Sequence, residues 1–589
     1  MFSKYYQDEL AFLRELGREF AQAYPQLAPM LADRGGDPDV ERLLEGVAFL
    51  TARIRQKLDD EIPEAIHAIA ELLFPQIIRP LPSAAILEIT PLPNVLREVF
   101  NVKAGSEFGS IEVDGTTCRF RSSNDCELVP WMIEDLRVEM LPGGRQQLRV
   151  EMRIPLGLPI ADIAPKRLRL HFAGEVRTQL EMLMWLHEHT EELVIVETKA
   201  TGGPERELKL GKRAMKMVGF DDEEALLPFP RTAFPGFRLL EEYYALPQKF
   251  AFIDIEGVGR AAELDKEISR FAIVFRFDAP MPWGSRLAKD AIKLHCVPVV
   301  NIFETSAEPI RLSPQREEFY VRPAGLQHAH GEVYAITRVE AISRGTSKRF
   351  LIPSFYDFSH VGSQGKADQY FYTTHIRPSV VGDGADISIS FGTPEDAGVL
   401  PEADVVSLDL LGTNRQLASA LRAGEISVAT PSSPAVATFK NLSAVTPHVP
   451  PPLGRELQWR VVAHAAMGLR SLTEPEVLRA ALDVYNHAAL VDRQAARANE
   501  LRLAAIKDVR VRPADQVYRG APVRGVAIDV DLDEKGFAGD GDFFLFSAIL
   551  ERFFAAYVSL NSFSRTTTHG VNSKLIFKWP ARSGNLTLI

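Results

Sequence analysis

Residues 75–93 read PQIIRPLPSAAILEITPLP, and a change of character inside them decides how the rest of the chain is read. Pro75, Pro80 and Pro82 end helical structure, because proline removes a backbone donor and clashes with the preceding turn. From Ala84 onward the apolar period drops from 3.6 to 2, the spacing of strands. A boundary near Ser83 therefore separates a helical start from a β-rich continuation.

Before that boundary, Phe2, Tyr5, Tyr6, Leu10, Leu13, Leu16 and Phe20 recur at three- and four-residue steps. Val40, Leu43, Leu44, Val47, Leu50, Ile54 and Leu58 form a second helical stripe, capped by Asp37 or Asp39. Pro63 suits the first turn of a further helix with Ile66, Ile69, Ala70 and Leu73 on its apolar face. After the boundary, short strands are divided by Gly, Pro and Asn/Asp signals. Three segments, RLRLHFAG, EVRTQLEMLMWLHEH and ELVIVETKA, read as strand, helix, strand. Residues 430–455 are rich in Pro, Ser and Thr and read as a covered loop or linker. DFFLFSAILERFFAAYVSL is apolar nearly all round, which predicts a helix buried on most sides. The expected class is α+β and multidomain. Residues 1–82 would be a helical assembly segment and 83–200 a first β-rich or mixed domain. Residues 201–430 would be a central β-rich domain and 431–589 a mixed α/β carboxy-terminal region.

At 589 residues the chain exceeds what one hydrophobic core supports. Apolar residues are 46% and charged residues 25%, the balance of a folded protein. Lys plus Arg number 67 against 78 Asp plus Glu, a formal charge of −11 that argues against binding nucleic acid or anionic membranes. Three cysteines, Cys118, Cys126 and Cys296, make no disulfide framework and point to a reducing cytoplasm. The first 20 residues lack a signal-peptide core, and no apolar run is long enough to span a bilayer.

Chemistry-bearing patterns are sparse. Glu64 and His67 have the Glu-x-x-His spacing of di-iron bundles, but such a site needs a second copy of the motif and no other histidine has a Glu three residues before it. His187 and His189 lie two apart, the wrong spacing for a helical zinc site. His328 and His330 have no Cys or acidic triplet near them in sequence. GSQGKAD lacks the spacing and the hydroxyl of a phosphate loop, and neither a nucleophile elbow nor a dinucleotide fingerprint appears. We expect no cofactor and no metal. By contrast LLPFPRTAFPGFRLLEEYYALPQKFAFIDI, residues 226–255, carries more aromatic mass than one strand needs. It must be covered by the fold or by a partner.

That block, with several others in order, carries a resemblance. YYQDELAFLRELGREFAQAYPQLAPML, ARIRQKLDDEIPEAIHAIAELLFPQIIRPLPS, GTTCRFRSSNDCELVP, CVPVVNIFETSAEPIRL, LLGTNRQL, LQWRVVAHAAMGLRSL, VSLNSFSR and WPARSGNLTL together resemble the TssF (VasA/ImpG) family of type VI secretion baseplate components, over essentially the whole chain. The family pattern has a Cys where this chain has Gly412, and Leu-Pro where it has Gln416, Leu417 and Ala418. The resemblance implies a non-enzymatic wedge subunit of a contractile, phage-tail-like baseplate. Its implied partners are TssG, TssK, TssE, the VgrG spike hub and a second copy of itself. Its implied place is the cytoplasmic face of the inner membrane, reached through partners and without insertion. Candidate interface or core residues are Leu58, Ile62, Ile66 and Ile69 in the amino-terminal helices, Tyr243, Tyr244, Phe250 and Phe252 in the aromatic block, and Asn301, Phe303, Asn414 and Arg415 in the later blocks. Two other readings compete: an enzyme with an unrecognised site in the β-rich middle, and a metal-dependent module using His187, His189, His328 and His330.

Overall fold

The structure is a computed structural model. It describes the chain apart from residues 1–5, 8–9, 15–37, 94, 156–157, 199–204, 230–233, 266–267, 283–286, 344–348, 356–369, 380, 394–398, 454–459, 462–467, 470, 519 and 585–589, together with the side chains of residues 38, 40–41, 54–66, 68, 72, 235, 343, 471, 488–489, 518 and 521. Two compact units divide it, residues 1–72 and 73–589.

The expectation of an α+β chain led by a helical segment over 1–82 is corrected: the class is β-rich. Seven sheets fill the second unit among the described residues. Of residues 1–37 only 6–7 and 10–14 are described. One helix, α1, runs Pro38–Leu73 without the expected restart at Pro63. Strands begin at Ala84. The short connections and β-branched runs beyond that point outweigh the helical start.

Ala84–Pro91 lies inside a six-stranded sheet, one strand in from its edge. Its order is Ile426–Ala429, Glu107–Val113, Thr116–Ser122, Cys296–Val300, Ala84–Pro91, Ala437–Asn441. Strands from three of the four expected segments meet here. Ala84–Pro91 runs antiparallel to Cys296–Val300, with Ala85 opposite Val299 and Leu87 opposite Val297. Both faces of this pair are covered. Ala85, Leu87, Ile89, Val297 and Val299 enter one core with Phe108, Phe120 and Phe439. Ala84, Ile86, Cys296 and Val300 enter another with Phe252, Leu246 and Tyr334. Two-sided burial explains why these strands read as nearly unbroken apolar runs. The Pro/Ser-rich stretch contributes its own strand, Ala437–Asn441, which closes one edge of the sheet.

The carboxy-terminal part is a sheet backed by helices. Ala521–Leu532 pairs antiparallel with Ile506–Tyr518 and parallel with Phe563–Gly570. A parallel neighbour needs a crossover, and a helix supplies it. With α2 at Val176–His189, α3 at Pro235–Ala245, α4 at Pro475–Asp483 and α5 at Arg493–Ala504, that crossover helix is α6, Asp540–Ala556. Fifteen of its residues are buried, from Gly541 to Ala556 with Arg552 the exception, as its all-round apolar character predicts. It packs on both α2 and α3. The backbones of α2 and α6 meet at Gly541, where a Cβ would lie 2.2 Å from the carbonyl carbon of Leu180 and 2.3 Å from the nitrogen of Glu181. Neither neighbour is a flexible side chain, so nothing can move aside cheaply.

This contact gives the first prediction. Gly541→Ala forces α6 off α2 and costs about 3 kcal/mol or more, the upper range of overpacking. A urea unfolding midpoint equal to that of the parent chain would contradict it.

Candidate functional site

The sequence motifs converge on buried polar junctions. The blocks CVPVVNIFE and LLGTNRQL lie more than a hundred residues apart, yet Asn301 and Asn414 meet side by side, 0% and 1% exposed. Asn301 Nδ2 donates to Asn414 Oδ1 at 2.8 Å and to the Arg119 carbonyl at 2.8 Å. Asn301 Oδ1 accepts from the Asn414 backbone N–H at 2.7 Å. Asn414 Oδ1 also accepts from the Arg119 N–H at 3.2 Å, and its Nδ2 donates to the His330 carbonyl at 3.3 Å. Two side chains thus satisfy backbone groups where regular strand pairing gives out. Beside them Phe303 is 1% exposed, with the Arg119 guanidinium 4.0 Å from its ring centroid. Phe303 stands opposite Gly412 across the strand pair. A Cβ at 412 would meet that ring at 3.1 Å, so the ring takes up the space of a side chain at this departure from the family pattern.

Arg415, 3% exposed, follows with φ at 50°, a conformation that costs a non-glycine residue energy. Its guanidinium offsets that cost by donating to Asp386 Oδ1 at 3.0 Å and to the Val381 carbonyl at 2.9 Å. Burial opposes ionisation of Asp386. Hydrogen bonds from His328 and Ser379 and the charge of Arg415 nevertheless hold it below the usual carboxylate range. Next to this group, Glu332 accepts from the Ala385 N–H at 2.6 Å and pairs with His448 at 2.9 Å, both side chains fully buried. None of these groups forms a nucleophile–base–orienter set, and each carboxylate is already occupied by donors from other elements.

A second junction sits in the aromatic block. Tyr243, Phe250 and Phe252 are covered by the chain's own core, and Tyr244 is half-buried. Within α3, Glu242 accepts from the Leu226 N–H at 2.7 Å, from Arg238 at 3.3 Å and from Lys249. Burial pushes Lys249 down to about 8. Burial, with the neighbouring Glu242 charge, lifts Glu241 to about 8. A third junction joins three helices through one carboxylate. Asp542 of α6 accepts from Tyr243 Oη of α3 at 2.8 Å and from Arg502 Nε of α5 at 2.9 Å. Asp542 lies in the first turn of α6, where the helix dipole favours a negative charge.

The remaining sequence candidates separate. His187 and His189 close α2, bonded to Glu188 at 2.9 Å and Asp278 at 2.8 Å. His328 bonds Asp386, and His330 bonds Thr116 at 2.9 Å. These four imidazoles do not share one site. Among the described residues no group of three or more His, Cys, Asp or Glu is placed to hold a metal. Cys118 and Cys126 are buried, which pushes their thiols up to about 11 and about 12. Cys296 is buried as well. The side chains of Leu58, Ile62, Ile66 and Glu64 lie outside the described residues; Ile69 is 48% exposed. Sequence reading missed Glu332, His448, Asp386, Glu242 and Asp542. Each is a polar residue whose local sequence does not reveal its distant partner.

Polar side chains here are spent on joining elements, the arrangement of a structural assembly subunit. The comparisons with known proteins say which kind. The family Type VI secretion system, TssF, matches residues 1–586, and the chain belongs to that family. It is 27% identical over 641 aligned positions to the type VI secretion system component TssF1 of Pseudomonas aeruginosa, covering 99% of this chain and 98% of that protein. It also resembles a chain in the cryo-electron microscopy structure of the type VI secretion system TssK-TssF-TssG baseplate subcomplex. That match has 29% identity and a TM-score of 0.78 over 93% of this chain and 99% of the other. A chain of a second solved structure, the type VI secretion system baseplate complex, matches with 28% identity and a TM-score of 0.60 over the full length of both. The protein is a structural subunit of the type VI secretion system baseplate.

The asparagine pair yields a prediction with a built-in contrast. Asn301→Ala removes buried hydrogen bonds and costs about 2–4 kcal/mol. Asn301→Asp costs more, because the donor that faces two oxygens is replaced by a third oxygen. Urea midpoints falling in the order parent, Ala, Asp are expected. An Asp variant as stable as the parent would overturn the geometry.

Proposed function

We propose that this chain is a non-enzymatic part of the baseplate wedge, binding TssG- and TssK-type subunits directly. In this reading a second copy, a TssE-type subunit and the spike hub complete its surroundings, at the cytoplasmic face of the inner membrane. The observation that carries it is the match, over nearly its whole length, to a chain solved within a TssK-TssF-TssG subcomplex. Among the described residues no helix is long and apolar enough to cross a membrane, which fits recruitment through partners.

The amino-terminal helix supplies a surface for that role. On α1, Leu43 is 71% exposed, Val47 39% and Leu50 62%, spaced at four and three residues on one face. A soluble helix ordinarily turns such a stripe inward. We assign the seam that continues through Leu58, Ile62, Ile66 and Ile69 to helices of a partner subunit. Co-expression with TssG- and TssK-type subunits, followed by native mass spectrometry, tests the reading. A defined complex is expected, and a chain that stays alone would contradict it.

The seam gives the sharper variant. Leu50 is exposed in the single chain, so Leu50→Asp changes its stability by no more than about 0.5 kcal/mol. In the complex the same change buries an unpaired carboxylate. We expect an unchanged circular dichroism melt and loss of co-purification with the TssG-type subunit. Full co-purification would show that this face is ordinary surface.

A further inference from the structure

A cleft of about 1360 Å³ opens between three sheets of the second unit. Its walls come from the end of Ala84–Pro91, the start of Met132–Met140 and the strand Ile292–Leu294. The volume exceeds the roughly 300–1,000 Å³ of small-molecule pockets, and the cleft is open to solvent, as a groove for a chain segment would be. Its floor is apolar: Trp131, Ile292 and Leu294 are at most 8% exposed. At the rim Met132 is 55% exposed.

Two features define what fits. The first is hydrogen bonding. Met132–Met140 is the outer strand of one sheet and Ile292–Leu294 the outer strand of another, so among the described residues each leaves one edge without a strand neighbour. Open edges beside an apolar floor are the setting in which an extended peptide adds as a strand. The second is charge. Several cations of the cleft are already matched: Lys293 with Glu88 at 2.9 Å, Arg270 with Glu134 at 3.0 Å and Lys289 with Asp135 at 3.7 Å. Arg97 and Arg153, both exposed at the cleft, have no ion pair among the described residues, and only Asp290 stands against them. On a chain of formal charge −11 this is a local excess of positive charge.

We infer that this cleft receives an extended, acidic segment of another baseplate subunit, laid along the open strand edges with its carboxylates toward Arg97 and Arg153. The inference rests on the baseplate reading above. A photocrosslinker at the rim, Met132→p-benzoylphenylalanine, tests it in the complex co-expressed with the TssG- and TssK-type subunits. The expected result is a light-dependent adduct whose mapped peptide belongs to a partner and is net acidic. The pair Arg97→Glu and Arg153→Glu, both exposed and remote from the core, should lower the adduct yield roughly tenfold while the circular dichroism melt stays unchanged. Should that pair fail to fold, Arg97→Gln with Arg153→Gln should lower the yield in the same direction. A complex that forms without an adduct overturns the inference, and so does an adduct only to this chain or to a basic peptide. A yield insensitive to the arginine changes overturns it as well. Failure of any complex to form would instead remove the baseplate reading, and the partner with it.

Discussion

Asn301 and Asn414 hold one another through two hydrogen bonds, 2.8 and 2.7 Å long, in a place from which water is excluded. The contact ties two sheets of the second unit together. Asn301 follows directly on the doubly buried strand Cys296–Val300, and Asn414 on the strand Ala403–Thr413. Where two strands leave their sheets, backbone groups lose their ladder partners. A buried amide or carbonyl left so costs about 1–3 kcal/mol. The asparagines supply a donor and an acceptor each and turn a site of loss into a fixed crossing. Glu332 with His448, Arg415 with Asp386, and Asp542 with Tyr243 and Arg502 repeat the device wherever elements from distant parts of the chain meet.

Such junctions hold distant parts of the chain in one arrangement. Buried ion pairs add little net stability over apolar packing of equal volume, but breaking one is expensive. They favour one arrangement over its near alternatives. Arg415 shows the trade locally: a left-handed backbone is tolerated because its guanidinium is held by two partners. The exposed surface is organised differently. Leu43, Val47 and Leu50 are exposed, and among the described residues the outer strands beside the cleft have no further strand neighbour.

Much of this was legible in the sequence, for identifiable reasons. The switch at Ser83, the strand–helix–strand over 167–197 and the buried helix at Asp540–Ala556 follow from local periodicity, which a single segment carries by itself. The fold class did not follow, because period-3.6 stripes at the start of the chain stand out more than many short strands. The helix break read at Pro63 is absent from α1. Proline at that point removes one hydrogen bond, and a long helix can absorb that loss. The site was half legible. Asn301, Phe303, Asn414 and Arg415 belong to blocks that drew notice through family resemblance, but their meeting spans 113 residues and no local pattern encodes it. Glu332 and His448, 116 residues apart, gave no signal, since each is a single polar residue in an unremarkable strand or loop.

These polar junctions should make residues 73–589 one cooperative unit. Native-state hydrogen exchange across a series of low denaturant concentrations measures this directly. Amides of Cys296–Val300, of Ala403–Thr413 and of the helix Asp540–Ala556 should converge on one opening free energy with one denaturant dependence. If the sheet strands and the helix instead open at clearly different free energies and never merge, the junctions are only local contacts and the account is wrong.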